Sequence, residues 1–105
     1  MTVIEELRAR RDLLSRPGVW VQGPPSFDQV GHACLVSYRP VKGKYSSLSN
    51  KAWMILYSML EDEFKAAGGS FMGVGMWNDV PERTLAEVLD LLDRTIARLE
   101  ATCAT

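Results

Sequence analysis

Between Asn50 and Ala67 the chain carries a helical pattern with a very broad apolar side. At about 100° per residue, Ile55, Met59, Leu56, Leu60, Trp53, Phe64 and Tyr57 form one arc that covers more than half of the circumference. A helix of this kind cannot lie on a surface. It has to be central and touch several neighbours. The requirement is severe, because 105 residues make one domain with one core. A chain of this size buries roughly 65% of the surface that its unfolded form exposes, enough for a core without metals or staples.

Two further helices are legible. Thr2-Val3-Ile4-Glu5 is a capping box, in which hydroxyl and carboxylate satisfy each other's free backbone donors. It opens a helix over about 3–15, with Val3, Leu7 and Leu14 on one stripe and Ile4 on its flank. Glu6 with Arg10, and Arg8 with Asp12, are four apart and can pair on its outer face. Arg16-Pro17-Gly18 stops it. The last helix ends near Ala101 and puts Leu85, Val88, Leu89, Leu92, Ile96 and Leu99 on one stripe.

The connections are less determined. Residues 17–31 hold three prolines and three glycines and read as a loop, whose Val19, Trp20, Val21 and Phe27 should fold back over the core. Residues 31–38 fit either a short strand or two helical turns, because short apolar runs do not discriminate. Residues 39–49 read as an exposed connection. Gly68-Gly69 supplies a left-handed end to the central helix, and 70–76 is a glycine-punctuated link.

Composition excludes several function classes. The fractions are those of an ordinary globular protein, 47% hydrophobic and 24% charged. A net charge of −1 provides no general attraction to nucleic acid or anionic membranes. No apolar run approaches the roughly 18 residues of a membrane span, and the N-terminus lacks the pattern of a signal peptide. A cytoplasmic location is the default expectation. Cys34 and Cys103 fit no metal spacing and read as free thiols, and a single histidine excludes a His-rich metal site. No metal and no cofactor are expected.

Residues 77–84, Trp-Asn-Asp-Val-Pro-Glu-Arg-Thr, are the one stretch whose chemistry exceeds what a small helical domain needs. Two capping boxes overlap there, Asp79 with Glu82 and Thr84 with Glu87; either can start the last helix, or a first turn begins at Asp79 and the regular helix at Thr84. Together they explain Asp79, Glu82, Thr84 and Glu87 without any function, and leave Trp77, Asn78 and Arg83 over.

At this junction the chain resembles the family called domain of unknown function 6197. Trp77-Asn78-Asp79, then Pro81, Arg83-Thr84 and Glu87-Val88-Leu89 match its C-terminal signature. Trp20-Val21-Gln22-Gly23 and Cys34-Leu35-Val36 match two weaker elements in the same order. Ser37-Tyr38 departs from the small residues usual there, and 39–49 matches nothing. The resemblance implies an actinobacterial or phage context and a helical Cys34 segment. It implies no activity.

The candidate binding residues are Trp20, Trp77, Asn78, Asp79 and Arg83. Asn78 and Asp79 are either a ligand-facing pair or helix caps. Arg83 either clamps an anion at a helix N-terminus or pairs with Asp79, Glu82 or Glu87. Cys34 is a candidate nucleophile with His32 as base and Asn78 or Asp79 as orienter. Two residues apart they share a face only on a strand, being about 200° apart on a helix. Glu63 falls inside the apolar arc. It is either a buried acid paired with Arg39 or Arg83, or it reaches the rim. Arg8, Arg10, Arg11 and Arg16 make a solvated basic end, too thin and too offset by acids for a nucleic-acid patch.

The expected fold is all-α: an irregular bundle of three main helices and a shorter fourth element around Cys34, with Trp-bearing loops over one end. The expected function is a non-catalytic interaction domain, an accessory protein that binds and modulates a host protein. Its partner would be another protein rather than nucleic acid or membrane, and a homodimer is compatible with the same surface. The alternative is a small-ligand binder or enzyme with a pocket at the 77–84 junction.

Overall fold

A computed structural model describes residues 2–22, 33–35, 48–69 and 73–103. Among the described residues four helices follow one another: α1 (Val3–Leu14), α2 (Asn50–Ala66), α3 (Val74–Asn78) and α4 (Leu85–Cys103). Among the described residues there is no strand beyond one isolated parallel bridge, Trp20 with Ala33. The all-α expectation holds.

Local signals set the helix ends. Thr2 and Glu5 form the capping box in both directions, at 3.0 and 3.1 Å. Ser49 caps α2 through the amide of Ala52, and Glu6 of α1 accepts from the Ser49 amide at 3.2 Å, tying the two helix starts together. At the other end of α2 the amides of Gly68 and Gly69 donate to the carbonyls of Lys65 and Phe64. This double closure needs a left-handed residue just past the helix, and Gly68 supplies it with φ 79°.

The last helix starts at Thr84. Thr84 and Glu87 exchange their bonds at 2.9 and 3.2 Å. The competing Asp79–Glu82 box does not open a helix. Asp79 stands at φ −92° and ψ 3° as the C-cap of α3, not in the extended conformation of an N-cap. The Arg83 amide then closes a turn on the carbonyl of Val80, with Pro81 next after Val80, where its fixed φ suits the turn. The short fourth helix is thus α3, which begins in the link expected at 70–76 and ends in the 77–84 stretch, while the described residues 33–35 around Cys34 are not helical. Ala33 instead lies beside Trp20: its amide donates to the Val19 carbonyl at 2.8 Å and its carbonyl accepts from Val21 at 2.9 Å.

The core gathers Leu7, Leu14, Leu35, Leu56, Leu60, Val74, Val88, Leu91 and Leu92, all but inaccessible to solvent. The broad arc of α2 packs against α1, α3 and α4, as its width requires, while the most extensive pairing is α1 with α4. Leu91 and Thr95 are buried beside the expected α4 stripe. The Thr95 hydroxyl is satisfied by the Leu91 carbonyl at 2.7 Å.

Three expectations about the charges of α1 fail. Arg10 is no part of a solvated face; it is 3% exposed and its guanidinium donates to the Cys34 carbonyl at 3.5 Å. Arg10 falls on the Leu7–Leu14 stripe, so the packing of α1 carries it inward, away from Glu6. Burial pushes its pKa down to about 10, an effect the neighbouring Cys34 opposes, so it stays charged at neutral pH. Arg8 and Arg11 reach across to Glu100 and Asp93 of α4, both at 2.7 Å, and Asp12 pairs with Arg16 instead. These exposed pairs orient the α1–α4 contact more than they stabilise it.

Leu92→Ala should cost about 2–5 kcal/mol, because it opens a cavity where α4 meets the core, and urea denaturation would measure it. The Glu87 carboxyl is held below its ordinary value of 4.5, chiefly by the Thr84 amide and further by Arg83. Its contribution is complete above the unfolded pKa and is lost as pH falls through the lower folded one. Glu87→Gln should therefore flatten the decline of stability between about pH 5 and pH 3, followed by chemical denaturation at each pH.

Candidate functional site

α3 is five residues long, far too short to hold itself together. A side chain at its end does the holding. Asn78 is fully buried, and each end of its amide is engaged twice. Its Oδ1 accepts from the Trp20 indole Nε1 at 2.8 Å and from the Leu35 amide at 3.1 Å. Its Nδ2 donates to the Asp79 carboxylate at 2.9 Å and to the Val21 carbonyl at 3.4 Å. An asparagine side chain offers two acceptor and two donor positions, and all four are taken. Gln22 completes the staple, its Nε2 donating to the carbonyls of Asn78 at 2.8 Å and Val80 at 2.6 Å.

The three short motifs of the sequence, at Trp20–Gln22, Cys34–Leu35 and Trp77–Asp79, therefore converge on one buried amide. The chain matches the model of a family of unknown function, DUF6197, over residues 1–98. It belongs to that family. The match spans nearly the whole chain and includes the three short motifs gathered at Asn78. No match was found among curated proteins or among solved structures.

Trp77 and Arg83 form a second unit beside the first. Trp77 is 8% exposed and belongs to the core, and Trp20 is half-buried. The Arg83 guanidinium lies 3.8 Å from the centre of the Trp77 ring, a cation–π contact. Its Nε donates to the Trp77 carbonyl at 2.9 Å and its Nη1 meets the Glu87 carboxylate at 3.3 Å. Arginine is required for this combination, since its planar head stacks and donates at once. Of the partners expected for Arg83, Glu87 is thus confirmed.

An open groove of about 360 Å³ runs beside this unit, lined by Glu63, Trp77, Arg83, Ala86, Glu87, Asp90 and Arg94. Glu63 is not a buried acid. Its side chain is 42% exposed at the rim of α2, and its partner is Arg94 of α4, which also binds Asp90 at 2.8 Å. The apolar arc of α2 narrows toward its C-terminal end, where Glu63 reaches water and the neighbouring helix supplies the cation. Arg94 stays firmly protonated, held first by its hydrogen bond to Glu63. Of the two partners expected for Glu63, Arg39 lies outside the described residues and Arg83 is engaged elsewhere.

Cys34 is buried at 6% exposure and forms no disulfide. His32, its expected base, lies outside the described residues. Of its two expected orienters, Asn78 has no donor or acceptor left, and the Asp79 carboxylate accepts from the Asn78 amide at 2.9 Å. Among the described residues no group of three or more His, Cys, Asp or Glu side chains can hold a metal, and no helix is long and apolar enough to cross a membrane. Sequence reasoning missed Arg94 and Gln22. Spacing along α4 points Arg94 only to Asp90, four residues away, and gives no sign of Glu63. Gln22 carried no signal beyond its place in a motif.

Asn78→Ala leaves the Leu35 amide, the Trp20 indole and the Val21 carbonyl without their partner. A loss of about 2–4 kcal/mol is expected, with a much smaller loss for Asp79→Ala, both read from urea midpoints. In a Cys103→Ser background, Cys34 should ignore a small thiol reagent at neutral pH until denaturant is added. Rapid reaction of the folded protein would restore the nucleophile reading.

Proposed function

We propose that this chain is a non-catalytic domain that binds another protein. The observation that carries the reading is the internal engagement of every side chain at the 77–84 junction that looked reactive. Asn78 is saturated, and Arg83 is held by a ring, a carbonyl and a carboxylate. Three large apolar side chains are left exposed among the described residues: Met54 of α2 at 58%, Met76 of α3 at 57%, and Val80 at 36%. Methionine adapts its shape to a partner and is enriched at interfaces. The family resemblance adds the context of an accessory protein in an actinobacterium or its phage, acting on a host protein; the cytoplasm is the default location for such a chain.

The groove favours a second reading, a small-ligand site. Its volume is at the low end for such sites, and Trp77 supplies one aromatic wall. The two arginines already pair with the three carboxylates beside them, which weighs against an anionic ligand.

The two readings separate in one experiment. Tagged wild-type protein and a Met54→Glu/Met76→Glu variant are used as baits in an actinobacterial lysate. Circular dichroism should find both equally helical. The wild type should retain a discrete protein that the variant loses. Equal recovery by both baits, or none above background, would reject the protein-binding reading. A thermal-shift response to a small molecule that Arg94→Gln abolishes would favour the groove.

A further inference from the structure

We draw no further inference here: the strongest candidate, the charged groove between α2 and α4, belongs to the site already described, and its two arginines and three carboxylates already pair with one another.

Discussion

The side chain of Asn78 ties together three stretches of backbone that have no regular structure joining them. α3 is a single turn and a half, and the segments around Trp20 and Leu35 share one bridge. None of these would hold its place by its own backbone bonding. One buried amide with two donors and two acceptors satisfies a neighbour in each of them, and its own burial is tolerable because no position is left unpaired. With α3 pinned, Val74 and Trp77 enter the core, Arg83 can stack on the indole, and the Val80–Arg83 turn delivers the chain to the Thr84 cap.

A second buried polar group grips the same peptide unit between Cys34 and Leu35. Arg10 occupies a place on the α1 stripe where an apolar residue would be ordinary, and it bonds the carbonyl of Cys34. The 33–35 segment is thereby held from two directions, by a guanidinium through a carbonyl and by Asn78 through an amide. Polar networks of this type restrict which arrangement is acceptable, since any other would strand a charge or a donor in a dry interior. The helices give the core its bulk, and the two polar side chains determine where the irregular segments go.

This has a direct bearing on function. Residues of unusual chemistry in a short motif invite a catalytic reading, yet here the family motifs are explained by bonds inside the fold. Trp20, Gln22, Leu35, Trp77, Asn78 and Arg83 all serve the junction itself. Large apolar side chains that stay exposed, Met54 and Met76, lie outside these motifs or at their edge. The motifs fix α3, which carries the exposed Met76, and the turn that begins at the exposed Val80.

Helices and their ends were legible because they rest on contacts three or four residues apart. The Thr2 and Thr84 caps, the Gly68 stop and the breadth of the α2 arc all follow from local spacing. The choice between the two overlapping capping boxes was not local. It depended on α3 forming first along the chain, which leaves Asp79 at a helix end instead of a helix start. The partners of the polar residues were beyond the sequence for the same reason. Arg10 left Glu6 for Cys34, Glu63 found Arg94, and Asn78 met Trp20 across 58 residues. Spacing shows which side chains share a face, but only the packed chain decides what that face meets. The sequence by itself determined the three long helices, the Thr2 cap and the Gly68 stop, because these rest on neighbours a turn away; the tertiary structure placed α3, chose Thr84 over Asp79 and engaged the most suggestive residues inside the fold, because those outcomes depend on contacts between distant segments.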